Sequence, residues 1–187
     1  VVCKVLFKKY KVIEKIDSVK VLREYRYSNY VMFHPFDGFW DMKHEKRGNL
    51  KGSLFCVFLT ILAFIYQTFG TAYIFNADPS KSTIFGQVLS VLTPFLLFCV
   101  ANWCLTTLFD GEGSVKAICS VSAYALVPYL ITQVVVVIAS NVLLMGEAAF
   151  IVFFQYLGIL WSVVLMISGI KTVHQYSIPK TLLAMVF

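Results

Sequence analysis

Four long stretches without a charged side chain constrain this chain more than any other feature. Charged residues bracket uncharged runs of 26, 28, 30 and 23 residues, which cover 52–77, 82–109, 117–146 and 148–170. A helix crosses roughly 30 Å of hydrocarbon in about 20 residues, so each run is long enough to span a membrane. Only 14% of the residues are charged, whereas soluble domains carry roughly 25%. The pattern therefore predicts a polytopic membrane protein.

The fold class that follows is all-α: a polytopic helical bundle with four complete spans and the start of a fifth. We expect the spans near 53–75, 86–108, 117–140 and 148–170, with the fifth at 179–187 beginning at a proline that suits a first helical turn. The sequence starts without an initiator Met and stops within an apolar run, so we expect the chain to continue at both ends. Together these spans form one predicted transmembrane domain, 53–187.

Basic residues are concentrated before the first span. Twelve of the 16 Lys and Arg residues precede residue 52, and this segment accounts for the whole formal net charge of +6. The loops that alternate with it carry few basic residues, so the positive-inside rule predicts a cytoplasmic N-terminus in the plasma membrane. The expected partner of this charge is the bilayer with its anionic headgroups, and not nucleic acid.

Two prolines interrupt the predicted spans, Pro94 in the second and Pro128 in the third. Each removes a backbone donor, which predicts kinks near Ser90 and Tyr124.

The N-terminal segment divides into a basic cytoplasmic arm, 1–33, and an amphipathic juxtamembrane helix, 34–52. Its interface residues share one helical face at spacings of three and four, namely Phe36, Phe39, Trp40 and Lys43. Aromatic side chains with basic flanks suit a helix lying in the headgroup layer. An ordinary amphipathic helix packed on the cytoplasmic end of the bundle explains the same pattern, and both interpretations stay open.

A second face of this helix carries potential metal ligands: His34, Asp37, Asp41 and His44. Helical metal sites usually pair their ligands more tightly, at i and i+4, and these residue types are also common on surfaces. We assign no metal site and no cofactor.

Polar residues recur every four positions at the cytoplasmic ends of the second and third spans. Asn102, Thr106 and Asp110 form one stripe, and Lys116, Ser120 and Tyr124 form the other. The short turn 110–114 joins them, so we expect the stripes to face each other and to clamp the two spans together. Intramembrane polar residues usually face the bundle or a cavity.

These stripes define the candidate polar site, whose residues are Asn102, Thr106, Asp110, Glu112, Lys116 and His174. We predict that Asp110 or Glu112 pairs with Lys116 or with a basic residue of 43–51. The glycines of the turn predict a flexible connection. The sequence contains no nucleophile elbow, zinc-protease, P-loop or dinucleotide motif, so we predict no catalytic residue and no enzyme.

Four segments together resemble bacterial members of the Yip-domain family: HPFDGFWDMKHEKRG (34–48), NWCLTTLFDGEGS (102–114), AYALVPY (123–129) and GIKTVHQYS (169–177). The resemblance covers about residues 30–187. It implies a five-span bundle with a cytoplasmic N-terminus, in a family named for interaction with Ypt/Rab GTPases in vesicle traffic.

The eukaryotic branch of that family carries a DLYGP-type motif before its first span, where this chain has DGFWDMK. Rab binding is therefore not carried over. Bacterial relatives are encoded near sugar-importing ABC transporters, whose components become candidate partners. The resulting hypothesis is a non-enzymatic scaffold or accessory subunit of a membrane complex. The alternatives are a transporter or channel component with a cytoplasm-facing polar pocket, and a membrane-embedded enzyme or metal protein using the histidines.

Overall fold

The computed structural model describes residues 20–45, 50–75, 83–109 and 111–186, and every regular element within these ranges is helical. In chain order the helices are α1 (Lys20–Phe33), α2 (Pro35–His44), α3 (Leu50–Gly70), α4 (Ile84–Phe109), α5 (Val115–Ala125), α6 (Val127–Ser140), a 3-10 turn (Met145–Glu147), α7 (Ala148–His174) and α8 (Ile178–Val186).

Four helical segments are long and apolar enough to cross a membrane: Leu50–Gly70, Ile84–Leu105, Val115–Ser140 and Met145–His174. The predicted all-α, multi-pass bundle is thereby confirmed. The helix ends differ from those expected, because the gaps between charges do not mark where helices end. Lys51 lies inside α3 and Lys171 inside α7, as long basic side chains can reach the interface from within a helix.

The third span is broken between α5 and α6, at Leu126. Pro128 lies in the first turn of α6 and has no N–H to donate, and the Leu126 N–H turns back to the carbonyl of Ala123 at 3.3 Å. The interruption lies two residues after the expected kink at Tyr124. Pro94, in contrast, lies inside the continuous helix α4.

The broken span forms the centre of the bundle. It is 56% buried, compared with 17–33% for the other three spans. Its core side chains pack with those of α3, α4 and α7, and its fully or almost fully buried ones include Ile118, Val121, Tyr124 and Val127. Burial on all sides explains why this segment carries apolar and small side chains around its whole circumference.

Close helix approach depends on glycines of α7. A Cβ at Gly158 would overlap the side chain of Thr132 in α6, and one at Gly169 would overlap Val121 in α5. Lipid tails are as apolar as helix surfaces, so the hydrophobic effect does not drive helices together in a membrane. Close packing does, and small residues allow the helix backbones to approach closely. These positions therefore fix α7 against both halves of the central span.

Helices α3 and α5–α6 run parallel with a constant offset. The Ser53 hydroxyl lies 3.2 Å from that of Ser120, a separation of 67 residues. Gly70 packs against Val137 at the other end of the same pair. We call the end formed by the starts of α3 and α5 and the end of α7 the basic end, and the opposite end the distal end.

Helix α2 packs against the basic end, and α1 packs deeper, against the middle of the spans. The Tyr27 hydroxyl donates to the carbonyl of Gly38 at 2.6 Å, which joins the two helices. The indole N–H of Trp161 in α7 donates to the carbonyl of Met32 at 3.3 Å. The described part of the predicted arm is therefore a helix docked on the bundle, and residues 1–19 lie outside the described part.

Candidate functional site

One part of the aromatic face of α2 is buried against the bundle, and the other part is exposed. Phe39 is 0% exposed, and a Cβ at Gly169 would lie 3.1 Å from its ring. Phe36 and Trp40 are 63% and 51% exposed. The assignment of Phe39 to the headgroup layer is therefore corrected: α2 inserts this ring into the bundle because α7 offers a glycine opposite it. Packing on the bundle therefore holds for one side of the helix, and contact of the other side with headgroups stays a prediction.

Lys43 connects three elements of the basic end. Its Nζ donates to Oε2 of Glu112 at 3.0 Å and to the carbonyl of Val173 at 3.0 Å. The first bond joins α2 to the turn before α5, and the second satisfies a carbonyl in the last turn of α7. A cation at a helix C-terminus also complements the helix dipole. The predicted pairing of an acid in this turn with a basic residue is confirmed by Glu112 and Lys43.

His174, the last residue of α7, lies beneath the turn. Its side chain is 3% exposed. A Cβ at Gly113 would lie 2.8 Å from both ring nitrogens, and one at Gly111 would lie 2.5 Å from Nδ1. Neither glycine has a positive φ. The glycines therefore leave room for contact with the imidazole, and the expected flexibility of the turn stays a prediction.

The chain reverses directly after this histidine. Gln175 adopts the left-handed conformation, with φ of 57°, and ends α7. The reversal stacks the ring of Tyr176 on that of His174, with centroids 4.9 Å apart and planes inclined by 13°. Lys180 lies 5.2 Å from the Tyr176 centroid as a cation–π contact. The segment after the fourth span therefore closes over the imidazole.

An open groove of about 700 Å³ lies beside this assembly. Its charged lining residues in the described part of the chain are Lys43, Lys51, Lys116 and Glu112. Ser114 lies at its edge and caps α5 by accepting a hydrogen bond from the Ala117 N–H at 3.3 Å. Three lysines facing one carboxylate make the groove electropositive, so it can attract anions.

The structure brings together only part of the predicted polar site. Glu112, Lys116 and His174 lie at or beside the groove. Asn102 is buried elsewhere in α4, where its Nδ2 donates to the Phe98 carbonyl of its own helix at 3.2 Å. Asp110 and the side chain of Thr106 lie outside the described part of the chain.

Where their side chains are described, the two polar stripes do not clamp the second span to the third. Ser120 bonds to Ser53 of the first span. Tyr124 is fully buried and meets Tyr27 of α1 edge-on, at 5.8 Å between centroids. The expectation is corrected because α5 turns this face toward α3 and α1, and a spacing of four residues identifies a face without identifying its neighbour.

The histidines of α2 take part in ring contacts. His34 stacks on Tyr30 at 5.0 Å, and His44 on Trp40 at 4.5 Å. Within the described residues, no group of three or more His, Cys, Asp or Glu side chains could hold a metal ion.

Sequence reasoning missed two residues of the site, Lys51 and Tyr176. Lys51 was considered as the boundary of an apolar run and as one of several possible partners of the acids, but not as a residue of the site, although it lines the groove from inside α3. Tyr176 belongs to the segment GIKTVHQYS and was not singled out. An aromatic residue two positions after a buried histidine was the available signal for it.

Comparison with known proteins identifies the family. The family model of the Yip1 domain matches residues 29–187, which include α2, all four spans and the segment after them. No curated protein and no solved structure matches the chain. Since the match extends over most of the sequence, this multi-pass membrane protein belongs to the Yip1 domain family.

Proposed function

We propose that the protein is a non-enzymatic scaffold or accessory subunit of a membrane complex, with its basic end on the cytoplasmic side of a bacterial plasma membrane. Yip1 domain proteins are generally non-enzymatic membrane proteins, and the family indicates a membrane-associated role in trafficking or membrane organisation. The finer assignment proposed here is that the basic end binds anionic lipid headgroups and a membrane protein partner. Components of sugar-importing ABC transporters are the first partners to test.

The observation that carries this proposal is that helix α2 has one side packed on the bundle and one side exposed. Phe39 and Lys43 hold the helix on the bundle, while Phe36 and Trp40 project from it. The groove with Lys51 and Lys116 lies at the same end. Exposed aromatic rings near basic side chains suit the boundary between headgroups and acyl chains. A helix held in this way presents them without an ordering cost on binding.

Headgroup binding can be tested on the full chain in lipid nanodiscs. We expect a higher melting temperature in phosphatidylglycerol than in phosphatidylcholine, with a difference that shrinks as salt is added. Lys51→Gln combined with Lys116→Gln should remove most of this difference. Lys81→Gln is the matched control, because the sequence assigns that lysine to the loop between the first two spans. An equal rise in melting temperature in phosphatidylglycerol for the double variant and the wild type would contradict headgroup binding at the groove.

Partner binding is tested separately by affinity purification from native membranes. A partner that is retained by wild-type protein and lost with Phe36→Ser and Trp40→Ser supports the scaffold role. A partner set unchanged by this double substitution would refute a role for the exposed face of α2.

The transporter or channel alternative would use the groove as its cytoplasmic mouth. Ser53 and Ser120 are bonded to each other at its inner side, and the fully buried side chains of Val121 and Tyr124 lie deeper in the bundle. This apolar packing favours the scaffold. Solute flux in proteoliposomes that is abolished by Lys116→Gln would favour the alternative.

A further inference from the structure

Each membrane span carries one glutamine, and all four lie in the distal half of the bundle. The chain contains five glutamines, and those in the spans are Gln67, Gln87, Gln133 and Gln155. Gln67 and Gln87 lie within a turn of the distal ends of α3 and α4, and the other two lie about two turns from the distal ends of their own helices, α6 and α7. An amide inside a membrane span is costly unless it faces a polar partner or a cavity.

The helix register brings these amides to one place. The offset of 67 residues between α3 and α6 puts Gln67 level with Gln133. The rings of Phe64 and Tyr129, 5.6 Å apart, lie one turn deeper in the same pair. On the other side, Thr132 packs against Gly158, and Gln155 lies one turn distal to that contact.

A cavity of about 440 Å³ opens among these residues. Within the described residues, its hydrogen-bonding side chains are Gln67, Thr68, Thr71, Gln87 and Gln155, its aromatic ones are Phe64 and Phe75, and none of those that line it is charged. The volume falls within the roughly 300–1,000 Å³ of ligand pockets. Val136, one helical turn distal to Gln133, also lines it. Gln133 therefore lies one turn deeper, on the same face of α6.

Gln133 provides the second, independent observation. It is 0% exposed, and neither its Nε2 nor its Oε1 has a hydrogen-bond partner within the described residues. Glutamines that hold helices together would bond to a neighbouring span. Buried polar atoms in native proteins almost always find a partner, including water or a ligand. This unpartnered amide lies one turn below the cavity, on the face of α6 that lines it.

We propose that this cavity binds a neutral polyol, of the carbohydrate class, which enters from the distal end. Amide and hydroxyl side chains both donate and accept hydrogen bonds, as sugar hydroxyls do. The uncharged lining offers no counter-charge to a phosphate or carboxylate, whose desolvation would be uncompensated. Phe64 and Phe75 supply apolar surface for a sugar face.

The test uses the full chain in proteoliposomes, with its native cysteines replaced and single cysteines introduced. Gln155→Cys should react with a water-soluble thiol reagent at least tenfold faster than Leu157→Cys. Leu157 is the matched control, because it lies two residues away on α7 and is exposed on the outside of the bundle. Glucose or maltose should slow the reaction of Gln155→Cys at least threefold, and gluconate or glucose 6-phosphate should not.

Equal reactivity at positions 155 and 157 would overturn the proposal, because the cavity would then be closed to water. Reactivity that none of the sugars slows, or that charged analogues slow equally, would overturn the assignment to a neutral polyol. If Gln155→Cys does not fold, Gln87→Cys at the mouth carries the same comparison. These outcomes do not affect the proposal for the basic end, which rests on different residues.

Discussion

The ammonium group of Lys43 lies 3.0 Å from the carboxylate of Glu112, across 69 residues of sequence. The pair joins the helix before the first span to the turn before the third. Its carboxylate is 60% exposed, and its lysine is 18% exposed. An ion pair this open to water contributes only about 0–1 kcal/mol, so its main effect is to position the turn above His174.

We first predict that the two partners of this pair are unequal. Glu112→Gln should lower the free energy of unfolding by about 0–1 kcal/mol. Lys43→Met should cost about 1–3 kcal/mol more, because the Val173 carbonyl also loses its donor. Thermal unfolding in detergent measures both, and Lys116→Met, an exposed lysine of the same groove, is the control. Equal losses for Lys43→Met and Lys116→Met would contradict the bridging role.

The second prediction concerns the contact between the glycine turn and the imidazole. Gly113→Ala should destabilise the protein by about 1–3 kcal/mol, because its Cβ would overlap the His174 ring. Gly146→Ala is the matched control, since nothing lies within 4 Å of its Cβ position. Adding His174→Ala to Gly113→Ala should cost less than the sum of the single losses. Strict additivity of the two losses would exclude the contact as their cause.

Third, the two sides of helix α2 should respond differently to substitution. Phe39→Ala should cost about 3–5 kcal/mol, as expected for a buried aromatic ring. Trp40→Ser should change stability by no more than about 0.5 kcal/mol and should act on membrane or partner binding. Unfolding curves of the two variants, recorded in the same detergent, make the comparison. A larger loss for Trp40→Ser would reverse the assignment of the faces.

Finally, the orientation of the bundle can be read from cysteine labelling in intact cells. Val142→Cys, exposed at the distal end, should react with an impermeant thiol reagent added outside. Glu112→Cys, at the basic end, should react only after the cells are permeabilised. Glu112 is preferred to Gly113 as a reporter because a side chain at Gly113 would strike His174. Labelling of Glu112→Cys alone in intact cells would invert the orientation.

The spans were predictable from sequence because a helix in lipid must form all its backbone hydrogen bonds within itself. This requirement acts on each segment separately. The break near Pro128 was predictable for the same local reason, although its position at Leu126 depended on how the freed groups found partners. The pairing of Glu112 with a basic residue followed from opposite charge and from the expectation that the turn and the basic segment lie on the same side of the membrane.

The remaining features depended on which helix faces meet. Phe39 and Trp40 are adjacent in sequence, yet one is buried against Gly169 and the other is exposed, because α7 approaches only one side of α2. The four glutamines are far apart in sequence, and the parallel register of α3 and α6 brings two of them level. By itself the sequence determined the all-helical, multi-pass architecture. The thickness of the hydrocarbon layer and the need for internal backbone hydrogen bonds constrain each segment independently of the others. Only the tertiary structure decided the sites, since a site consists of distances between segments that the chain order does not specify.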